Sequence, residues 1–144
     1  MRVRVEAVVN PTEDVDKVVK AILNVFAGSV IVEEREGGYK YIVGESSSIE
    51  SLKKLHYLIR AQRILDTARS ILLRGVRGRE IAFRLHKQVA YIGKASFIDE
   101  ELNPPLGTID IYVECSNPGK LIDWLAPPTS MGKPLWEHEP PKDL

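Results

Sequence analysis

The sequence predicts an α+β fold: a mixed, mainly antiparallel sheet with helices packed on one face. Three observations carry this. Residues 2–9, 81–85 and 108–115 alternate apolar and polar side chains with the period of a half-buried strand. Two β-rich runs flank Gly37-Gly38, the pattern of a hairpin. Apolar stripes of helical period fall between strands without regular βαβ alternation, which favours α+β over α/β. The expected order is β-α-β-β-α-α-β-β-β-α in a single domain over residues 1–126, followed by a Pro-rich tail over 127–144.

In the first strand Val3, Val5, Ala7 and Val9 share one face, and Arg2, Arg4, Glu6 and Val8 the other. Asn10-Pro11-Thr12-Glu13 reads as a helix start. Asn10 can cap, Pro11 suits the first helical position, and Glu13 stands three residues after the cap. Asp14 and Asp16 add favourable charge to the first turn. Val15, Val18, Val19, Ile22, Leu23 and Phe26 form the apolar stripe, and Gly28 ends the helix. Residues 29–36 and 39–44 make the hairpin.

Ser46, Ser47 and Ser48 offer caps to a long helical region that stops at Gly75. Within it Leu52, Leu55, Leu58 and Ile59 share one face. Ala61, Ile64, Leu65, Ala68, Ile71 and Leu72 share another, rotated by roughly 140°. The mismatch predicts a break near residues 58–61, giving a short helix and then a longer one. The alternative is a straight helix buried on two sides.

Gly78 sits in a basic turn between Arg77 and Arg79. Ile81, Phe83 and Leu85 then alternate with Ala82 and Arg84 as a strand. Residues 86–92 read as a helical turn leading to Gly93, 94–98 as another short strand, and 99–105 as an acidic loop. Ile109, Ile111, Val113 and Cys115 point inward from the last long strand. Asn117-Pro118 starts a short helix to Leu125. From Pro127 the chain reads as irregular, pinned by Trp136 and frayed beyond it. Arg2, Arg4, Arg84, Asp110 and Glu114 make one sheet face polar, which an antiparallel sheet can leave wet.

The chain has 144 residues, 44% hydrophobic, enough for a core. Its single cysteine forbids an internal disulfide and fits a reducing, cytoplasmic setting. No apolar run approaches a membrane span, and no signal-peptide stretch precedes the first strand.

The net charge of zero hides a polarity. Residues 53–94 hold eleven Lys and Arg against two acids, a formal +9, so the remainder carries −9. Such a block attracts a polyanion, and nucleic acid rewards clustered cations through counterion release. Arg63, Thr67, Ser70 and Arg74 are spaced to line one helix face, and Arg77 and Arg79 extend it. Guanidinium groups bridge phosphate oxygens bidentately, with hydroxyls adding hydrogen bonds. The candidate contacts are Arg60, Arg63, Arg69, Arg74, Arg77, Arg79, Arg84, Lys87, Gln88 and Lys94. Singly, each has a plainer role: Arg74 complements the helix dipole, and Asp66 can pair with Arg63 or Arg69 within the helix. Tyr91 beside Gly93 could stack on a base or simply pack against the sheet.

Other chemistries find little support. His56, His86, His138 and Cys115 lack zinc-ligand spacing. There is no nucleophile elbow, phosphate-binding loop or dinucleotide fingerprint, so neither catalytic residue, metal nor cofactor is expected. Asp99, Glu100 and Glu101 read as a solvated acidic loop.

Four segments carry a resemblance: Val-Asn-Pro-Thr-Glu-Asp (9–14), Gln-Arg-Ile-Leu-Asp-Thr-Ala-Arg (62–69), Lys-Gln-Val-Ala-Tyr-Ile-Gly-Lys-Ala-Ser-Phe (87–97) and Trp-Leu-Ala-Pro-Pro-Thr-Ser-Met-Gly-Lys-Pro (124–134). Together they resemble the uncharacterised archaeal protein family 0201, which is predicted to bind RNA. That family is similar to a second archaeal family, described as exosome-associated, with a double-strand-RNA-binding-like or ribosomal-protein-like α+β fold. The resemblance spans nearly the whole chain. It implies a cytoplasmic archaeal protein and singles out Arg63, Arg69, Lys87, Gln88 and Lys94. Two motifs also admit an architectural role: Asp66 and Thr67 can lock their helix to a loop, and residues 126–129 can end the last helix and steer the tail.

The expectation is an RNA-binding protein without catalytic activity, contacting phosphates through a basic surface on residues 60–94. The alternative is a protein-interaction module or homodimer that sets the same segment against an acidic partner.

Overall fold

The computed structural model describes residues 1–99 and 102–144. The strands are β1 (Arg2–Val9), β2 (Val30–Glu34), β3 (Lys40–Ser46), β4 (Val76–Arg77), β5 (Glu80–His86), β6 (Thr108–Glu114), β7 (Thr129–Ser130) and β8 (Lys133–Pro134). The helices are α1 (Val15–Val25), α2 (Lys53–Ala61), α3 (Leu65–Arg74), α4 (Lys87–Tyr91) and α5 (Pro118–Leu125). Six strands form one sheet in the order β2-β3-β1-β6-β5-β4, and each described pairing is antiparallel. β1 lies near the centre, with Val5 opposite both Gly44 and Ile111.

Alternation makes the sheet two-sided. Val3, Val5, Ala7, Ile42, Ile81, Phe83, Leu85, Ile109, Ile111 and Val113 are buried. They meet the helical stripes Val18, Ile22 and Val25, Leu55 and Ile59, Leu65, Ala68 and Leu72, and Leu121, Ile122 and Trp124. Each Val, Leu, Ile or Phe among them, fully buried, contributes about 1.5–3 kcal/mol. Cys115 joins this core, and burial raises its thiol pKa. Gly44 makes room in it: a Cβ there would stand 2.9 Å from the Phe26 ring. The opposite face is polar and laced by ion pairs. Arg2 and Arg4 reach Glu45 at 3.0 and 3.4 Å, while Arg4 and Arg35 share Glu6 at 3.2 and 3.0 Å.

Several elements depart from the pattern read in the sequence, each for a local reason. Helix α1 begins at Val15, because residues 10–13 close a turn instead. The Glu13 N–H donates to the Asn10 carbonyl at 2.9 Å, and the Glu13 carboxylate accepts the Asn10 N–H at 3.0 Å and its side-chain amide at 2.7 Å. Asp14 becomes the cap, accepting from the Asp16 N–H at 3.0 Å. The helix break falls between α2 and α3, at residues 62–64 rather than 58–61. There Arg63 takes a left-handed φ of 57°. The Gln62 side chain exchanges two 2.8 Å hydrogen bonds with the Ala95 backbone. That exchange ties residue 95 to the helices, and residues 94–98 meet β5 through the isolated Leu85–Phe97 bridge and the stacking of Phe97 on Phe83 at 5.7 Å rather than as a strand. Of the acidic loop, Glu100 and Glu101 lie outside the described residues.

The tail is ordered beyond expectation. β7 and β8 form a small hairpin, and the Trp136 indole N–H reaches the Asp123 carbonyl at 3.3 Å. Further on, Asp143 pairs with Lys120 at 3.0 Å, and Leu144 packs against the core.

Candidate nucleic-acid interface

The ten candidate residues divide into distinct groups. Three hold the fold together. Arg60 engages all five guanidinium N–H donors: Nε and Nη2 clamp Glu137 at 2.8 and 2.6 Å, and Nη1 and Nη2 reach the carbonyls of His56, Leu125 and Trp124. Its hydrogen bonds hold the Glu137 carboxyl below the usual range, against the opposing effect of burial. Arg69 joins α3 to α5 through Asp123 at 2.9 Å and the Ala126 carbonyl at 3.1 Å. Asp66 turns to the Thr129 hydroxyl at 2.6 Å, an inter-element lock in place of a bond within its helix. Lys87 is buried, with Nζ on the Val8 carbonyl at 2.7 Å, the Leu106 carbonyl at 2.5 Å and Glu13 at 2.8 Å.

Arg74, Arg77 and Arg84 converge. They line a cleft of about 430 Å³ between the last turn of α3, the edge of β5 and the open sheet face. Ile71, Ala82, Phe83, Ile98 and Tyr112 provide apolar walls, with Asp99 and Asp110 beside them. Gly75 lets the helix end meet the strand. Its carbonyl accepts the Ala82 N–H at 3.0 Å, and a Cβ there would fall 2.0 Å from the Ala82 oxygen. Each arginine is positioned by part of its guanidinium. Arg77 Nη1 caps the Arg74 and Val76 carbonyls at 2.9 and 2.8 Å. Arg74 reaches Ser70 and Asp99 at 3.4 Å. Arg84 holds the Asp99 and Leu102 carbonyls and Asn103. These bonds leave Nη2 of Arg74 and of Arg77, and Nε of Arg84, without a partner among the described residues.

Tyr112 faces outward from β6, cross-strand from Arg4 and Ala82. Burial, and then the carboxylates of Asp110, Glu6 and Glu80, raise its phenol pKa, so it stays a hydroxyl donor at neutral pH. The sequence reading did not single it out. The available signal was an aromatic at an outward position of a polar strand face.

Arg63 and Lys94 are exposed and flank the Gln62–Ala95 pair at the start of α3. Thr67 and Ser70 line the exposed helix face between them and Arg74. Arg79 is exposed near Glu114 and the chain end. Gln88 belongs elsewhere, in a cleft of about 350 Å³ lined by α1 and α4 residues. Tyr91 packs in that region, under the Lys20 ammonium at 4.9 Å. Among the described residues no three His, Cys, Asp or Glu side chains form a potential metal site. No described helix is long and apolar enough to cross a membrane.

A family model described as RNA binding matches residues 2–115. The UPF0201 protein of Sulfolobus acidocaldarius is 51% identical over 142 residues, covering 99% of this chain and 98% of its own. That of Aeropyrum pernix is 45% identical, covering 99% and 95%. The crystal structure of the UPF0201 protein from Methanococcus jannaschii superposes with a TM-score of 0.82 at 33% identity, over 94% of this chain and 99% of that one. The chain belongs to the UPF0201 family, within the proteins that the RNA-binding family model describes.

Proposed function

We propose that the protein binds RNA, without catalysing a reaction on it, through cations exposed along α3 and the β4–β5 edge. Arg63 and Lys94 stand at one end of α3, and Arg74, Arg77, Arg79 and Arg84 at the other. The helix between them spans about 15 Å. The observation that carries the reading is the convergence of Arg74, Arg77 and Arg84 on one cleft with N–H donors still unengaged. The match to a family model described as RNA binding points the same way. The Arg74–Asp99 pair is more than half exposed on both sides, so it is weak and a phosphate can displace it.

The test is fluorescence anisotropy of nuclease-treated protein with labelled RNA across a salt series. Affinity should fall steeply with salt, and R74A/R77A should weaken every RNA in common. Unchanged affinity in that double mutant would remove this surface from consideration.

A further inference from the structure

The cleft has more in it than charge. Backbone contacts to a duplex need only a cationic surface, whereas this site joins a cationic rim to an apolar floor, with the carboxylates of Asp99, paired to Arg74, and of Asp110 at the wall. Its volume of about 430 Å³ lies in the range of small-ligand sites, roughly 300–1,000 Å³. The floor is open because Ala82 is small and sits beside Tyr112 across the β5–β6 pairing. Arg74 and Arg77 stand on the rim at the α3 end. Asp110 stands on the sheet side. It accepts the Thr108 hydroxyl through Oδ1, and its Oδ2 has no partner among the described residues.

Resting on the RNA reading above, we propose that this cleft holds one unpaired ribonucleotide. The base lies against Tyr112 and the floor over Ala82, as aromatic platforms hold unstacked bases. Arg74 and Arg77 take its phosphate through their unengaged donors. The free oxygen of Asp110 accepts the 2′-hydroxyl, the group that distinguishes RNA from DNA. The RNA class selected is then a duplex end or bulge with an unpaired residue, rather than a blunt duplex.

Anisotropy with three labelled probes tests this: a blunt RNA duplex, the same duplex with a short unpaired ribonucleotide overhang, and the same overhang in deoxynucleotides. The overhang should bind roughly tenfold tighter than the blunt duplex, the scale of one stacked base. The deoxy overhang should lose part of that gain. In A82L, where the longer side chain fills the floor, the ratio of overhang to blunt affinity should fall toward one. In D110A the ribo and deoxy overhangs should bind alike. Equal affinity of the wild-type protein for blunt and overhanging RNA would overturn the nucleotide site while leaving RNA binding intact. No salt-sensitive binding of any probe would instead overturn the RNA reading itself. Because the wild-type comparison decides the question alone, a misfolded variant does not blunt the test.

Discussion

The Lys87 ammonium and the Glu13 carboxylate meet at 2.8 Å with side-chain exposures of only 2% and 12%. Lys87 follows the inward series Ile81, Phe83, Leu85 of β5, two residues beyond its last member. It emerges beneath the turn that closes β1. Burial pushes the Glu13 carboxyl up, but the hydrogen bonds from Lys87 and Asn10 outweigh it, and the group titrates below its usual value. The pair ties the end of β1 to Leu106 and the start of α4.

Replacing Lys87 with Met should therefore destabilise the protein by about 3–5 kcal/mol, since it strands a buried carboxylate. K87M/E13Q should recover much of that loss. Urea denaturation of the four corners of the cycle measures the coupling, and additive losses would contradict it.

Arg60 and Glu137 hold the tail. R60K keeps the charge but loses the five-donor fork, and should cost about 2 kcal/mol, within the range for charge-assisted hydrogen bonds. The Glu137 carboxyl titrates below its ordinary 4.5. Its contribution is full above pH 4.5 and is lost as pH falls through the lowered value. An E137Q variant should show a smaller stability loss over that acid range in chemical melts.

His56 stacks on Trp124 at 4.6 Å, and its Nε2 is buried without a partner among the described residues. Burial, and then the Arg60 charge, lower its pKa from 6.5 to about 4, with Glu137 opposing and Lys53 adding to the decrease. The unfolded chain therefore binds the proton first. Stability is full above pH 6.5 and declines as pH falls from 6.5 toward 4. H56F keeps an aromatic ring on Trp124 and should flatten that slope; thermal melts at pH values across the window would show it.

Gly75→Ala places a methyl carbon 2.0 Å from the Ala82 carbonyl oxygen. Relief requires the end of α3 to leave β5, at about 3 kcal/mol, the upper part of the overpacking range. The same movement opens the cleft, so G75A should also weaken RNA binding. A folded G75A with unaltered affinity would show that the α3–β5 junction does not shape the site.

Arg69 and Arg77 should separate in RNA titrations. R77A removes a cation from the cleft and should reduce the slope of log K against log salt by about 0.7–0.9 for each phosphate left without its cation. R69A breaks the link to Asp123 and Ala126 and should lower stability with the salt slope unaltered.

Much of the fold was legible because burial on one side imposes a period. Alternation located β1, β5 and β6 and their inward residues, and the two phase-shifted stripes favoured a break before α3 over a straight helix buried on two sides. The break itself moved to residues 62–64 because Gln62 finds its partner at Ala95, a pairing that helical phase does not encode. The helix start at Asn10 failed for a related reason: Glu13 has a distant cation to meet and bends back to do so. The cation block was equally visible, but charge counts carry no direction. Arg69 lies four residues after Leu65 and three before Leu72, on the flank of the buried stripe, which was the one hint of its structural task.

Local periodicity thus determined from the sequence the class of the fold, its core faces and the stretch where positive charge concentrates. The tertiary structure alone decided which cations remain available. Carbonyls at helix ends and carboxylates from remote segments compete for the same N–H donors, and only the folded chain brings them within reach. Arg60, Arg69 and Lys87 meet such partners inside the fold, whereas Arg74, Arg77 and Arg84 reach the cleft with donors to spare.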